Sequence, residues 1–531
     1  MCVEIKQLLI KQSMPQAAAL SYHVALELHD KVAAPLSNIG TILIAQEREL
    51  ESIEHLTRSL DIDPSTISTN TNLGVANLSL GFLEKAENYL VQATKGSGSE
   101  APYNLAVMHQ RKGTMKESMR YALEAINRTR DGNNKKLILR FLDFLKLSTC
   151  DWSSGVSIMP QVSHFESFEG ITRSNLLQLP PCAFEVDERL NIGYVFYHDH
   201  LDPSYKNLPQ MGDPSRFKVF CYKVGAHEGE GNIAKKVIED RIHILVFTTR
   251  LLPNQPRERL APLQIAMHYT GYQRADIDYV VSPESYSTSS INAKTLVVPG
   301  VYFEPSSTDS YASVENDSLR AYHGISHNVF LYGCFQQPQF LDPELFDSWM
   351  KMLKSTDGTS ILLMRHNEDM EINLKLRALE RGIDSDRIVF VECGTAKAYL
   401  DCFSMIDLYL DSRIQSGRSA IWNALSAGTP CVCFHGSNPQ TVAGAHILSS
   451  IGLNELIVHS LHQYETLGIL LQSDENNFIN IVKKLDNRVD DGKFVTSPTP
   501  VDWYKKFELE MKKAFATKIN TKNPKSKEQT N

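Results

Sequence analysis

A repeat in the first quarter of the 531-residue chain constrains the fold more than any other feature of the sequence. The triplet Asn38-Ile39-Gly40 returns as Asn72-Leu73-Gly74 after 34 residues, and as Asn104-Leu105-Ala106 after 32 more. Small residues follow the triplets at matching distances, at Ser52, Ala86 and Ser118 and again at Ser59, Ala93 and Ala125. An incomplete earlier unit fits the same frame with Ala18, Tyr22 and Ala25. Such a period indicates helix pairs that bury their apolar faces only by stacking on one another.

The spacing resembles that of tetratricopeptide repeats, in which small residues let paired antiparallel helices approach closely. We therefore expect residues 1–145 to form an α-helical, TPR-like solenoid. Its shared asparagine position, occupied by Asn38, Asn72 and Asn104, is expected to line one surface. Amide groups there suit an extended peptide backbone, because they donate and accept hydrogen bonds without reading sequence. The alternative is that each amide bonds a neighbouring helix or loop.

Beyond Asp151 the pattern changes to short apolar runs separated by stretches of helix or loop length. Five strand-like runs come before residue 300, at 190–196, 217–222, 243–247, 278–281 and 295–299. Five more follow, at 329–333, 360–364, 387–391, 406–410 and 430–434. Strands that alternate with helices predict parallel sheets, here two Rossmann-like lobes over 150–325 and 326–515. The lysine-rich end, 516–531, is expected to be a disordered basic tail.

Composition limits the classes of function. Apolar residues make up 42% of the chain and charged residues 22%, which excludes wholesale disorder. The net charge of −8 argues against a protein built around nucleic-acid binding, and no apolar run is long enough to span a membrane. Nine scattered cysteines without a C-x-x-C pair, and a start that lacks the pattern of a signal peptide, favour a cytoplasmic protein.

Several motifs are similar to those of the O-GlcNAc transferases. In the second lobe they lie at 335–343 (FQQPQFLDP), 361–365 and 384–390, and at Asp411 followed by Ala427-Gly428-Thr429-Pro430. In the first lobe they lie at 193–195, 243–246, 261–264 and 271–272. The resemblance covers nearly the whole chain and is strongest over 326–460. It implies a two-lobed glycosyltransferase fold of the GT-B type.

The same resemblance implies a function. It is an inverting, metal-independent transfer of a sugar, with UDP-GlcNAc as donor, to serine and threonine hydroxyls of protein acceptors presented by the solenoid. No permanently bound cofactor and no metal are implied, so helix N-termini, backbone N–H groups and a cationic side chain must neutralise the diphosphate. The alternatives are a transferase that uses another sugar nucleotide and a catalytically inactive relative that acts as a scaffold through residues 1–145.

The donor-binding residues depart from the family pattern. Phe340 stands where the family has a lysine for the diphosphate, Arg418-Ser419-Ala420 replaces His-Thr-Thr, and Asn423 replaces a ribose-binding aspartate. We expect Ser416 to cap a helix whose first N–H groups face the diphosphate, while Arg418 supplies the cation. The donor-binding set that the resemblance implies is Gln337, Lys397, Ser416, Gly417, Arg418, Ser419 and Asn423. The alternatives are a surface salt bridge for Arg418 and a buried helix position for Asn423.

Three residues are candidates for the acid–base chemistry. His243 begins a strand at the place of a family histidine near the acceptor, although a strand-edge histidine bonded to the backbone fits the sequence as well. The family histidine that follows the first strand aligns with Asp202, and His198 and His200 lie nearby. Two histidines two positions apart also suggest a metal, but no third or fourth ligand is evident, so no metal site is predicted.

Overall fold

The structure is a computed structural model that describes residues 22, 32–45, 48–153, 189–197, 208–224, 236–248, 259–267, 277–282, 294–299, 316–393, 395–437, 441–487, 489–490, 493–494 and 499–522. The chain divides into two compact units, Met1–Thr149 and Cys150–Asn531. Each unit is described by itself below.

The described part of the first unit is helical. Its helices are α1 (Ala33–Ala45), α2 (Glu49–Ile62), α3 (Ile67–Ser79), α4 (Leu83–Ala93), α5 (Glu100–Lys112), α6 (Met115–Arg128) and α7 (Gly132–Ser148). In the first pair, Ser52 Oγ donates to the Gly40 carbonyl at 2.8 Å and Ser59 Oγ donates to the Ala33 carbonyl at 2.9 Å. Later residues of α2 thus contact earlier residues of α1, so the two helices run antiparallel. The bond recurs in the third pair, where Ser118 donates to Ala106 at 2.6 Å.

Small residues let these helices pack closely, as the sequence predicts. All six small positions are buried: Ser52, Ser59, Ala86, Ala93, Ser118 and Ala125. Of the incomplete earlier unit, Tyr22 is buried against Ile39, Ile42 and Leu43, whereas Ala18 and Ala25 lie outside the described residues. Successive helix pairs are packed against one another, as expected of a stacked repeat.

Two glycines mark the closest approach within a pair. A Cβ atom placed on Gly40 would come within 2.4 Å of Leu56 Cγ, and one on Gly74 within 2.4 Å of Leu90 Cγ. The third pair uses Ala106 and Ala122 at the same positions, both fully buried. A large residue thus faces glycine in two units, whereas alanines occupy both equivalent positions in the third.

The second unit contains two parallel sheets. The first is built from β1 (Leu190–Tyr197), β2 (Phe217–Val224), β3 (Ile244–Phe247), β4 (Leu263–Ala266), β5 (Tyr279–Ser282) and β6 (Lys294–Val297), in the order β2-β1-β3-β4-β5-β6. Every pairing in it is parallel. The strands β3 and β4 are buried along their whole length, which explains why they read as continuous apolar runs.

The second sheet is built from β7 (Phe330–Cys334), β8 (Thr359–Met364), β9 (Ile388–Val391), β10 (Leu408–Leu410), β11 (Cys431–Phe434) and β12 (Ile457–Val458), in the order β12-β11-β10-β7-β8-β9. All its pairings are parallel. Helices accompany it as α8 (Asn316–Tyr322), α9 (Pro343–Ser355), α10 (Glu368–Glu380), α11 (Ala396–Met405), α12 (Arg418–Ser426), α13 (Ala443–Ser450), α14 (Leu461–Ser473) and α15 (Glu475–Asp486). A short antiparallel ribbon, β13 (Val489–Asp490) with β14 (Lys493–Phe494), follows.

The end of the chain corrects the predicted domain boundaries. Residues 500–515, which the sequence assigned to the second lobe, and the start of the predicted tail form one helix, α16 (Pro500–Lys522). This helix buries Trp503, Phe507 and Met511 in the core of the first sheet. It is held there by an ion pair between Lys518 and the half-buried Asp278. Residues 523–531 lie outside the described residues.

The fold class predicted from the sequence is confirmed: a TPR-like helical solenoid is followed by an α/β unit with twin Rossmann-like sheets. No helix in the described part of the chain combines the length and the apolar character that a membrane span needs.

Candidate functional site

The strand order of the second sheet identifies where a ligand would bind. The chain runs outward from β7 to β9 on one side and from β10 to β12 on the other, so the order reverses between β7 and β10. In open parallel sheets, ligands bind beyond the carboxyl ends of the strands at this reversal. Gln336 follows β7 and Asp411 follows β10, and both side chains are buried at that point.

Asp411 organises the loop that follows β10. Its Oδ1 accepts a hydrogen bond from the Gly417 backbone N–H at 2.9 Å, and its Oδ2 accepts one from the Ser416 hydroxyl at 2.7 Å. The Ser416 Oγ in turn accepts from the Gly444 N–H at 2.8 Å. Gln336 Nε2 donates to the Gln415 carbonyl at 3.0 Å, which ties the loop to the end of β7. The loop 411–417 is therefore fixed from both sides of the reversal point.

Two further contacts hold this loop. The Tyr464 hydroxyl, on α14, donates to the Asp411 carbonyl at 3.1 Å, and Trp349 donates to the Tyr464 oxygen at 3.2 Å. The Arg413 guanidinium binds both carboxylate oxygens of Asp342 at 2.7 and 2.9 Å. Asp342 also caps α9, so the charge pair joins the loop to the start of that helix.

Burial raises the pKa of Asp411 to about 6, because desolvation of the carboxylate outweighs the hydrogen bonds that stabilise its charge. Those bonds come from Gly417, Ser416, Ser412 and Gln336 and act in the opposite direction. Desolvation therefore destabilises the charged form of this carboxylate. It ionises in a pH range where most surface carboxylates are already charged.

The helix α12 begins at this loop with Gly417 as its N-cap, and no side chain caps it. This corrects the expectation that Ser416 is the cap, because the Ser416 hydroxyl is directed to Asp411 and Gly444. A Cβ on Gly417 would lie 2.3 Å from Gln336 Nε2, so a larger residue would displace the amide that donates to the Gln415 carbonyl. The first-turn amides of Ser419 and Ala420 belong to the donors that an α-helix cannot satisfy internally. They are suited to an anion.

The other predicted donor-binding residues lie on three segments of the same lobe. Arg418, half-buried, and Ser419, exposed, open α12, and Asn423 is half-buried one turn further along the helix. Gln337 is exposed after the end of β7, where Gln339 donates to its amide oxygen at 2.6 Å. Lys397 is exposed in the first turn of α11. These segments follow β10, β7 and β9, so all belong to the carboxyl edge of the sheet.

Phe340 does not occupy a position suited to contact with a phosphate. It ends a 3₁₀ turn, Pro338–Phe340, and its side chain is only 4% exposed. The turn leads into Asp342 and α9, so the residue that replaces the family lysine serves packing instead. A cation for a diphosphate must therefore come from another element of the lobe.

Of the three candidate catalytic residues, the structure describes His243. His243 immediately precedes β3, and its Nδ1 accepts from the Asn191 backbone N–H at 2.8 Å at the start of β1. It thus lies at the amino edge, opposite the edge where ligands bind. This arrangement corrects the catalytic expectation and supports the alternative of a strand-edge histidine bonded to the backbone. His200 and Asp202 come after β1, outside the described residues.

The shared asparagine position is half-buried in each unit. Asn38, Asn72 and Asn104 lie on α1, α3 and α5, the first helices of their pairs. Asn72 Nδ2 donates to the Thr41 hydroxyl of the preceding unit at 2.7 Å. One asparagine thus makes the neighbour bond that was the alternative, and peptide binding by the row stays a prediction.

Three residues that position the site were absent from the predicted set: Asp411, Gln336 and Arg413. Asp411 could have been included, because it belongs to the motifs that carry the family resemblance and directly follows a buried strand. Gln336 and Arg413 had none, since their partners are 79 and 71 residues away in the chain. Among the described residues, no group of three histidine, cysteine, aspartate or glutamate side chains is placed to hold a metal ion.

Comparison with known proteins agrees with this geometry. Residues 306–497, which include the whole second sheet, match the family described as glycosyl transferase family 41. Over these residues the chain is similar to members of that family. It is 24% identical over 340 residues to the probable UDP-N-acetylglucosamine--peptide N-acetylglucosaminyltransferase SEC of Arabidopsis thaliana, a match that covers 56% of this chain and 34% of the relative.

Two other matches show how much of the chain resembles known proteins in sequence and in fold. The UDP-N-acetylglucosamine--peptide N-acetylglucosaminyltransferase of Caenorhabditis elegans is 24% identical over 166 residues, 31% of this chain and 14% of the relative. The solved O-GlcNAc transferase of Thermobaculum terrenum superposes with a TM-score of 0.60 at 17% identity, covering 92% of this chain and 98% of that one. The curated relatives are thus matched over about a third of their length or less, whereas this solved member of the family shares the fold almost from end to end.

Proposed function

We propose that the protein is a glycosyltransferase that transfers a sugar from a nucleotide diphosphate sugar to serine or threonine hydroxyls of protein acceptors. The carrying observation is the uncapped start of α12, fixed by Asp411 at the strand-order reversal of the second sheet. A helix start with unsatisfied N–H groups stabilises phosphate oxygens, and it does so without a metal. The transfer is proposed to be metal-independent and inverting, with no resident cofactor.

UDP-GlcNAc is the proposed donor, because the curated relatives are named for transfer from this nucleotide sugar. Arg418 is proposed to supply the cation that Phe340 cannot supply, since a guanidinium at the first residue of α12 adds charge to the helix dipole. Gln337, Lys397, Ser419 and Asn423 complete the proposed donor site. The proton acceptor for the hydroxyl is assigned to the segment after β1, which contains His200 and Asp202.

A thermal-shift panel tests donor binding. UDP, GDP and their GlcNAc conjugates are added at about a hundred times their dissociation constants, where binding stabilises by about 2.7 kcal/mol. We expect UDP compounds to raise the melting temperature of the second unit, Cys150–Asn531, by about 3 °C. No shift with any nucleotide would favour the scaffold alternative, and a shift without transfer to protein acceptors would indicate a binding-only site.

Arg418→Ala is expected to weaken UDP binding at least about tenfold, because a charge-assisted contact with the diphosphate is lost. Isothermal titration of the full chain measures the change, and Arg418→Lys should recover part of it. Arg381→Ala is the matched control, since that guanidinium pairs with Asp347 and lies in the connection after α10. Equal affinity of the Arg418→Ala and native chains would remove Arg418 from the site.

The asparagine row is tested by the triple replacement of Asn38, Asn72 and Asn104 with alanine. We expect transfer to protein acceptors to fall severalfold while hydrolysis of the free sugar nucleotide is unchanged, because only peptide binding is impaired. Asn127→Ala, an exposed position on α6, is the matched control. A parallel loss of both activities would mean that the replacements act through folding of the solenoid.

A further inference from the structure

Two cysteines contact each other beside the start of α11. Cys393 lies after the end of β9 and is half-buried, whereas Cys402 is on α11 and is buried. Their sulfur atoms are 2.8 Å apart, and both are thiols. A disulfide needs about 2.0 Å between the sulfurs, so less than about 1 Å of movement separates the dithiol from a closed bridge.

We propose that Cys393 and Cys402 form a dithiol that a hydroperoxide oxidises reversibly to an intramolecular disulfide. The pair joins the segment between β9 and α11 to the second turn of α11. Between the two cysteines lies Thr395, which caps the helix by accepting a hydrogen bond from the Ala398 N–H at 3.1 Å. The bridge would close a loop of ten residues that contains the first turn of the helix.

The two sulfurs differ in the way that stepwise oxidation requires. The hydrogen bond from Cys402 lowers the pKa of the Cys393 thiol, and Cys393 is the more accessible of the two. The Cys402 pKa is raised by the same hydrogen bond and by burial. Burial also raises the pKa of four other cysteines, which keeps them as unreactive thiols: Cys150, Cys334, Cys431 and Cys433.

The chemistry balances in two steps. The Cys393 thiolate attacks the terminal peroxide oxygen and becomes a sulfenic acid, and the cleaved O–O bond releases an alcohol, or water when the oxidant is hydrogen peroxide. The Cys402 sulfur then attacks the Cys393 sulfur, the S–S bond forms, and the sulfenic hydroxyl leaves as water with the Cys402 proton. Overall, two thiols are oxidised by two electrons and one peroxide is reduced. A dithiol reductant reverses the bridge by exchange.

Peptide mapping of the full chain tests the bridge directly. Trypsin cleaves after Arg387, Lys397 and Arg413, so the two cysteines fall on separate peptides, 388–397 and 398–413. After treatment with hydrogen peroxide, we expect these two peptides to be recovered as one linked species that dithiothreitol separates. Its yield should not change on tenfold dilution of the protein, because the partner sulfur has an effective concentration of millimolar or more.

Three variants make the result specific. Cys402→Ser should stop at a Cys393 sulfenic acid that dimedone traps, and Cys393→Ser should give neither product. Cys221→Ser removes the exposed cysteine on β2 and should leave the yield unchanged. Circular dichroism verifies the folding of each variant. Oxidation of Cys393 to sulfinic acid without a linked species in the native chain would overturn the proposal, and so would a linked yield that falls with dilution.

The effect of oxidation on UDP affinity rests on the proposed function, which places Lys397 in the donor site. Lys397 lies inside the loop that the disulfide would close. We expect UDP affinity to fall about tenfold on oxidation and to recover with dithiothreitol, with no such change in the Cys402→Ser chain. A linked species with unchanged UDP affinity would support the dithiol and remove Lys397 from the donor site. Absence of the linked species would refute the dithiol whatever the nucleotide affinity.

Discussion

Leu90→Ala is expected to destabilise the second helix pair of the solenoid by about 2–5 kcal/mol, because the leucine is fully buried and its loss leaves a cavity. Gly74→Ala alone is expected to cost about 1–3 kcal/mol, since its new methyl group would lie 2.4 Å from Leu90 Cγ and force the helices apart. Together the two changes copy the pairing of Ala106 with Ala122 in the next unit.

The double variant should therefore be more stable than the sum of the single changes predicts, by about 1–3 kcal/mol. The methyl group of the new alanine fills part of the cavity left by Leu90, and its clash partner is gone. Hydrogen exchange of the α3 and α4 amides in the full chain measures the local free energy of unfolding. Gly40 and Leu56 provide a matched repeat of the cycle. If the losses of unfolding free energy were additive at both glycine–leucine pairs, the close approach of the helices would not depend on matching these two residues.

Asp411→Ala is expected to destabilise the second sheet by about 3 kcal/mol or more, because it leaves the Gly417 N–H and the Ser416 hydroxyl without their acceptor. The loop would lose its anchor, so UDP binding should fall as well. Asp411→Asn keeps the shape and one oxygen acceptor but loses the second, and a smaller loss is expected. Chemical denaturation with and without UDP compares the two variants.

The same carboxylate predicts a pH dependence. Its pKa is raised in the folded chain to about 6, above the value of about 4 expected when unfolded. A raised acid pKa means that the folded state binds the proton more tightly, so this stabilisation is complete below pH 4 and is lost as the pH rises through 6. The loss amounts to about 3 kcal/mol from this group.

The difference between the native chain and Asp411→Asn isolates this contribution from those of other titrating groups. We expect the stability of the native chain to decline relative to the asparagine variant between pH 4 and pH 6, and the difference to level off above pH 7. Melting temperatures of both chains across this range measure it. Parallel curves would mean that Asp411 titrates in the folded chain as it does when unfolded.

The repeat and the strands of the second unit were predictable because each follows from local pattern. Small residues at Ser52, Ala86 and Ser118 mark helix contacts whichever way the units stack, and apolar runs such as 430–434 can only be buried strands or helix cores. The strand β4 was not predicted, because its four residues, LQIA, are too few to show the alternation of a strand. Helix α16 was missed because its partner sheet lies more than 200 residues earlier.

The candidate site was predictable only in part. Gly417 and the strand before it predict where α12 begins. The motifs around Asp411 and 427–430 indicate which lobe carries the site. Whether a polar residue there binds a ligand or another residue depends on distant chain segments. Ser416 illustrates this, since its hydroxyl is held by Gly444, 28 residues later, and does not cap the helix.

The helical repeat, the alternation of strands and helices, and the resemblance of the second lobe to the O-GlcNAc transferases could all be recognised in the amino-acid sequence. These depend on spacing along the chain, which a single sequence records. The folded structure was needed for the strand order that puts Gln336 and Asp411 at one point, and for the backbone partner of His243. Hydrogen bonds and ion pairs form between segments that folding brings together, and no local pattern encodes which segments those are.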